Sequence, residues 1–175
     1  AMDDPPDAVF LSKIENVRYL SGYESEDAAL LITSRKSCLI TDSRYTEAAR
    51  AQCPLAKVVE HRKGLLQPLE KLVRGTGKTI GYEDHVLTVR DLSRAESMYP
   101  KQTFVPIPQV VEELRRIKSE YEIKRIQKAI RIQQNAAKAW RKQLQPGMTE
   151  RAAASLLRHI MIAEYGADDQ SFETI

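Results

Sequence analysis

Glycine, proline and aromatic residues are scarce in this sequence of 175 residues, and long apolar runs are missing. Seven glycines and eight prolines are too few for a collagen-like or disordered chain. No apolar stretch approaches the roughly 18 residues that a bilayer span requires. The acidic, proline-containing residues 1–8 lack the basic and apolar regions of a secretory signal. These features predict a folded, cytoplasmic protein that does not enter a membrane.

Cysteine is also rare, because Cys38 and Cys53 are the only two in the chain. They allow at most one disulfide and fit no metal-ligand spacing. We therefore interpret them as buried free thiols in a reducing compartment.

The sequence does contain 42% hydrophobic and 29% charged residues, the composition of a globular protein with one domain or two. The net charge is only +3, but residues 115–142 hold ten basic and two acidic side chains. We interpret this basic segment as the solvated face of an amphipathic helix. We do not expect a nucleic-acid partner, because aromatic residues make up only 6% of the chain and do not alternate with the basic ones at stacking intervals.

Short apolar runs alternate with helical patterns between residues 8 and 83, which predicts an α/β fold with a mixed sheet flanked by helices. Residues 34–36 are too few for a crossover, so the runs on either side of them should form an antiparallel hairpin. The predicted strands are Ala8–Leu11, residues 17–20, Ala28–Thr33, Ser37–Thr41, Lys57–Glu60, residues 79–82 and residues 103–105.

Three helices are predicted among these strands. Asp42 or Ser43 can cap the first, which ends near residue 52. The second spans residues 65–74, where leucines recur on one face. The third opens with Thr88 and Asp91, which are spaced as in a capping box, and runs to about residue 98.

Prolines at positions 100, 106 and 108 interrupt regular structure, so we assign residues 1–110 to a first domain and residues 111–175 to a second. In the second, Ser119 and Glu122 form a capping box that opens a long helix. A shorter helix begins at Thr149, and a strand is predicted at residues 171–175. Two helices and one strand cannot enclose the apolar stripe of the long helix, so we expect the sequence to be the front part of a larger protein.

Several short motifs resemble landmarks of a known family. N-V-R-Y-L-S-G-Y at residues 16–23 and L-I-T-D-S-R-Y at residues 39–45 are similar to motifs in the amino-terminal domain of the creatinase/prolidase/aminopeptidase P family. L-R-R-I-K-S at residues 114–119, P-G-M-T-E at 146–150 and S-F-E-T-I at 171–175 resemble, in the same order, the opening of that family's pita-bread catalytic domain. The resemblance covers residues 8–175.

This resemblance implies a creatinase/prolidase N-terminal-like domain, a long linker helix and a partial α+β pita-bread domain. It further implies the amino-terminal part of an Xaa-Pro aminopeptidase or Xaa-Pro dipeptidase, which cleaves proline-containing peptides. Two divalent metals, manganese or cobalt, are expected in the full-length protein, where they activate a bridging water. The family also implies a homodimer, in which the first domain supplies dimer contacts and one wall of the substrate cleft.

The metal ligands of that family lie beyond the strand at which this sequence ends, so we assign no catalytic or metal-binding residue within it and expect the chain alone to be inactive. Asp168 and Asp169 precede that strand and do not match the metal-binding aspartates. By the family pattern, Phe172 forms part of an apolar wall for the substrate or belongs to the core. Arg44 reaches a substrate terminus across a subunit boundary or anchors the start of a helix. Ligand spacing is also absent around the three histidines, which are His61, His85 and His159.

Two alternatives use the same fold without metal catalysis. One is a peptide- or histone-binding platform, for which the basic segment would attract an acidic partner. The other is a creatinase-type amidinohydrolase. The codons that follow Ile175 would distinguish a peptidase from a platform, since only a peptidase keeps the metal ligands in order.

Overall fold

The structure is a computed structural model that describes residues 4–25, 27–75 and 77–169. It forms two compact units, Ala1–Arg116 and Ile117–Ile175, and each is described separately. The domain assignment to residues 1–110 and 111–175 stays a prediction.

The first unit is built on a six-stranded mixed sheet with the strand order β4-β3-β2-β1-β5-β6. β2 is antiparallel to both of its neighbours, β1 and β3, whereas the other pairs are parallel. The mixed sheet and the β2–β3 hairpin are thus confirmed. The strands are β1 (Ala8–Leu11), β2 (Ala28–Thr33), β3 (Ser37–Thr41), β4 (Lys57–Glu60), β5 (Thr79–Glu83) and β6 (Thr103–Ile107).

Among the described residues of the first unit, five helices accompany the sheet, and caps account for the start of the fourth and the end of the first. As predicted, the Thr88 hydroxyl accepts from the backbone N–H of Asp91 at the start of the fourth helix. Gly22 ends the first helix with a φ of 75°, a left-handed conformation that glycine adopts without steric cost. The helices are α1 (Ile14–Ser21), α2 (Thr46–Gln52), α3 (Leu69–Leu72), α4 (Val89–Met98) and α5 (Val110–Arg116).

Residues 17–20 were predicted as a strand, and this prediction was wrong, because they lie in α1. The local run Val-Arg-Tyr-Leu has strand-like composition, but the helix is fixed by groups distant in sequence. The Glu83 carboxylate accepts from the backbone N–H groups of Ser12 and Lys13, just before α1 begins. A negative charge at this end is favourable for a helix.

The second predicted helix, at residues 65–74, is reduced to the four residues of α3. Residues 65–68 form turns instead, in which Gln67 N–H donates to the Gly64 carbonyl. Pro68 has no N–H and therefore cannot continue a helical ladder through this segment. The Gln67 side chain also accepts from the backbone of Arg62 and Lys63, which stabilises the turns.

Two apolar clusters form the core of the first unit, and each contains one cysteine. Cys38 packs with Phe10, Leu31 and Ile40, whereas Cys53 packs with Leu39 in the other cluster. Both cysteines are buried and free, as predicted. Burial raises the pKa of the Cys38 thiol.

The second unit contains α6 (Glu120–Gln143), α7 (Glu150–His159) and a π-helical turn, Ile160–Glu164. The capping box predicted at Ser119 is formed, since Ser119 and Glu122 exchange hydrogen bonds. The Trp140 indole donates to the carbonyl of Ala153 at 2.7 Å and joins α6 to α7. The strand predicted at residues 171–175 lies outside the described residues. Within the described part of the chain, no helix has the length and apolar character to cross a bilayer.

Candidate functional site

The topology brings the ends of several strands to one edge of the sheet. β2 runs opposite to the other five strands, so its first residue lies beside the last residues of its neighbours. Ligands of open α/β sheets bind at this carboxyl edge. Asp27 directly precedes β2, while Asp42 and His61 directly follow β3 and β4. This edge therefore carries a polar cluster.

Arg44 is the exposed centre of this cluster. Its Nε donates to Asp42 Oδ2 at 2.7 Å, and its Nη2 lies 3.6 Å from Asp27 Oδ2. The Arg44 guanidinium lowers the pKa of Asp42, and Asp42 in turn raises the pKa of Arg44. The Arg44 side chain is 68% exposed, so a ligand can reach the guanidinium from solvent.

Asp42 shapes the chain in front of α2 without capping the helix. Its Oδ1 accepts from the Arg44 N–H at 2.9 Å, and its carbonyl accepts from the Thr46 hydroxyl. The cap predicted at Asp42 or Ser43 was wrong, because α2 begins at Thr46 and Tyr45 at its N-cap makes no side-chain capping bond. The Asp42 side chain instead stabilises the turn that precedes the helix.

His61 faces the same cluster from the segment after β4. Its side chain is only 9% exposed, and Nε2 lies 3.6 Å from Asp27 Oδ1. Nδ1 accepts from the Gly64 N–H at 3.2 Å, so the proton of the neutral ring belongs on Nε2, toward Asp27. Within the described residues, Nε2 has no hydrogen-bond partner. The sequence did not predict that His61 lies beside Asp27, because only the strand order brings these two residues together.

A second polar cluster lies where β1, β5 and α5 meet. The ligand atoms of Glu83, His85 and Glu112 all lie within 4.8 Å of one another. Glu83 and His85 are two residues apart and can face one side, but Glu112 comes from α5, which the sequence could not place there. Buried Asn16 bridges the two acids, because its Nδ2 lies 2.6 Å from Glu83 Oε1 and 2.9 Å from Glu112 Oε1.

The hydrogen-bond donors that surround this second cluster leave no place for a metal ion. The Glu83 oxygens already accept from Asn16 and from two backbone N–H groups. On Glu112, Oε1 accepts from the Lys13 ammonium at 2.8 Å and contacts His85 Nε2 at 3.1 Å. A metal ion would have to displace these donors and would be repelled by the ammonium. We interpret the cluster as a structural network that joins α1, β5 and α5.

Burial and hydrogen bonding act in opposite directions on the Glu112 carboxyl. Burial alone would raise its pKa. Hydrogen bonds from Lys13, Asn16, its own backbone and His85 outweigh burial and lower the pKa to about 2. Glu112 is therefore ionised throughout the physiological range.

The residues singled out from sequence are placed as follows. Arg44 lies in the exposed cluster at the carboxyl edge, whereas Phe172 lies outside the described residues. Asp169 accepts from Arg158 at 3.2 Å and forms an exposed ion pair within the second unit. His159 is exposed near the end of α7.

Family models match both parts of the chain. The creatinase/prolidase N-terminal domain matches residues 4–117, and metallopeptidase family M24 matches residues 124–175. The chain therefore belongs to the creatinase/prolidase/aminopeptidase P family, as its motifs predicted.

Individual relatives agree with this membership. The uncharacterized peptidase YqhT of Bacillus subtilis is 32% identical over 97% of this chain, which spans 48% of the length of that relative. An Xaa-Pro dipeptidase from Bacillus anthracis is 28% identical with a TM-score of 0.87, over 95% of this chain and 47% of that one. An X-Pro aminopeptidase from Thermotoga maritima is 32% identical with a TM-score of 0.86, and the match covers 97% of this chain and 50% of that one. The chain thus spans about half the length of these relatives.

Proposed function

We propose that this chain forms the amino-terminal part of a dinuclear-metal Xaa-Pro peptidase, either an aminopeptidase or a dipeptidase. The observation that carries the proposal is the order of the two family matches, an N-terminal domain followed by the start of an M24 metallopeptidase domain. The similar solved structures named as an Xaa-Pro dipeptidase and an X-Pro aminopeptidase support the same substrate class.

In this proposal the catalytic metals, manganese or cobalt, are held by the remainder of the protein. Two such ions supply a water of lowered pKa and polarise the scissile carbonyl. The cluster of Glu83, His85 and Glu112 is not the metal site, because N–H groups and the Lys13 ammonium already occupy its oxygens. The proposed protein is a cytoplasmic homodimer whose first domain supplies dimer contacts and one wall of the cleft.

Arg44 is the residue of the first unit that we assign to substrate binding. Its guanidinium is exposed at the carboxyl edge, and it is held in place by Asp42 without being enclosed. A permanently charged, planar group of this kind suits the terminal carboxylate of a short peptide. Phe172 is proposed to contribute to an apolar wall for the substrate.

Hydrolysis of Ala-Pro-containing peptides with added manganese tests whether activity requires the part of the protein that follows this chain. The 175-residue chain should release no product, whereas the longer protein that contains the M24 remainder should be active. Turnover by the 175-residue chain, or an inactive longer protein with both metals bound, would contradict the proposal.

The role of Arg44 is tested in the longer protein with Arg44→Gln. Loss of a charged hydrogen bond to the substrate should raise KM about tenfold and change kcat little. Arg35→Gln is the matched control, because Arg35 is also exposed but lies in the β2–β3 turn, at the other end of these strands. Equal KM values for Arg44→Gln, Arg35→Gln and the parent protein would remove Arg44 from the substrate site.

A further inference from the structure

A cavity of about 350 Å³ opens beside the Arg44 cluster in the first unit. Its wall is contributed by the end of β1, the residue before β2, the turns after β4, and the segment from β5 into α4. It therefore lies at the carboxyl edge, where ligands of α/β sheets bind. Ligand pockets range from about 300 to 1,000 Å³, so this cavity suits a small ligand.

The inner wall of the cavity is apolar. It is formed by side chains from β1, from the turns after β4 and from both ends of the β5–α4 segment, and most of them are partly buried. Such a surface takes up an aliphatic group, because binding removes apolar surface of both the ligand and the wall from water. These side chains are Phe10, Leu65, Leu66, Val86, Leu87 and Met98.

On the acidic side of the cavity lies Asp27, whose carboxylate is incompletely neutralised. Asp27 shares the Arg44 guanidinium with Asp42, which holds that group through the shorter contacts. Its other neighbour, His61 Nε2, stands 3.6 Å away, beyond hydrogen-bond distance. Two carboxylates thus share one permanent cation, which leaves Asp27 suited to bind an ammonium group.

Asp91 also lines the cavity, where its Oδ2 accepts from the Thr88 hydroxyl at 2.6 Å. Lys63 and Arg94 supply the basic groups of the same cavity. Lys63 follows β4, and Arg94 lies on α4. Neither forms an ion pair with a carboxylate within residues 4–25, 27–75 and 77–169. Both can therefore offer N–H donors to a carboxylate ligand.

We propose that this cavity binds a free amino acid with an aliphatic side chain, such as leucine. The ammonium group of the ligand would pair with Asp27 and its carboxylate with Arg94 and Lys63, while the side chain packs against the apolar wall. A ligand with both charges and a short apolar chain matches a small cavity lined by both signs of charge. This proposal does not rest on the peptidase function, because it concerns binding alone.

The test uses ¹⁵N-labelled 175-residue chain titrated with L-leucine and followed by two-dimensional NMR. Amide signals of residues 63–67 and 86–94 should shift together, with a dissociation constant of roughly 0.1–1 mM for a ligand of this size. Three probes each remove one feature of leucine: glycine lacks the aliphatic group, 4-methylpentanoate lacks the ammonium, and 3-methylbutylamine lacks the carboxylate. Each should bind at least tenfold more weakly.

Two variants locate the site. Arg94→Gln and Asp27→Asn should each weaken leucine binding about tenfold, since each removes one charged partner. Arg90→Gln is the matched control, because Arg90 is exposed on the same helix and does not line the cavity. Amide spectra of the variants show whether each remains folded.

Unchanged affinity in folded Arg94→Gln and Asp27→Asn would overturn the proposal. So would leucine-induced shifts confined to other residues, no shifts at 10 mM leucine, or equal binding of glycine. Because turnover is not measured, these outcomes leave the proposed peptidase function untouched.

Discussion

Asn16 links three elements of the first unit through one amide side chain. Its Nδ2 donates to Glu83 and Glu112, and its Oδ1 accepts from Arg115 at 2.8 Å. The sequence marked Asn16 as part of a family motif, and the structure gives the motif a structural reason. Replacing a buried amide that bonds to two carboxylates and a guanidinium removes three charge-assisted hydrogen bonds at once.

Asn16→Ala should therefore lower the free energy of unfolding by about 2–4 kcal/mol, because it removes three hydrogen bonds to charged groups from a largely buried network. Urea unfolding monitored by circular dichroism measures the loss. Asn135→Ala is the control, since Asn135 is exposed on α6 and its replacement should change stability by less than about 0.5 kcal/mol. A loss below 1 kcal/mol for Asn16→Ala would show that the network contributes little.

Glu112 predicts a defined dependence of stability on pH. Its pKa in the folded protein is about 2, below the ordinary value of 4.5 that holds in the unfolded chain. The unfolded chain therefore takes up a proton first as the pH falls. The stabilisation is fully present above pH 4.5 and is lost progressively as the pH approaches 2.

Glu112→Gln should make the unfolding free energy less dependent on pH between 4.5 and 2. Urea midpoints measured at several pH values in that window, for the parent and the variant, provide the comparison. Glu113→Gln is the adjacent control, because Glu113 is exposed and pairs with Arg116 on the same helix in an i,i+3 contact. Parallel pH curves for the parent and Glu112→Gln would contradict the assignment.

At the scale of the element, the starts of helices depend on short-range chemistry. The spacing of Thr88 with Asp91 and of Ser119 with Glu122 predicted the starts of α4 and α6, and both were confirmed. All four groups lie within three residues of their partners, so a local reading of the sequence is sufficient.

Ser119→Ala removes one half of the capping box of α6. We expect a loss of about 0.5–2 kcal/mol in the unfolding free energy of the second unit, because helix N–H groups lose an acceptor. Thermal unfolding followed by circular dichroism at 222 nm measures it. Ser155→Ala, at an exposed interior position of α7, should be near neutral. If Ser119→Ala is equally neutral, the capping box does not stabilise α6.

Elements that depend on distant partners could not be predicted in the same way. Residues 17–20, read alone, show no clear helical pattern. The residue that accepts from the backbone at the start of α1 is Glu83, which is far along the chain and therefore gives no local signal. The extent of α3 was overestimated, because the leucine pattern outweighed the effect of Pro68. Local patterns thus identified most elements and failed where a partner distant in sequence, or a missing N–H, decides the structure.

At the scale of the whole molecule, the candidate site depends on the strand order. Arg44 was identified from its motif, but Asp27 and His61 were not, because three separate loops meet only when β2 lies between β1 and β3. No spacing rule relates residues 27, 44 and 61 in the linear sequence.

The exposed apolar side chains of α6 in the second unit lead us to expect self-association of the chain. Ile123, Ile126 and Ile130 on α6 are each about 44–46% exposed, and together they form an apolar stripe. Sedimentation velocity should show dimers or larger species at high concentration. Ile126→Glu should raise the dissociation constant for self-association at least tenfold. Lys128→Glu, on the same helix, should leave that constant unchanged. A monomeric parent chain at high concentration would contradict the prediction.

The central position of β1 has a consequence for how the first unit folds. β1 is synthesised before the rest of the sheet, yet its parallel neighbour is β5, where Ala8 pairs with Ile80. The β2–β3 hairpin can close as soon as it is made, but the middle of the sheet stays open until β5 arrives. Long-range pairing of this kind is slow, so the unfinished edge of β1 is the surface that a nascent chain must protect from aggregation.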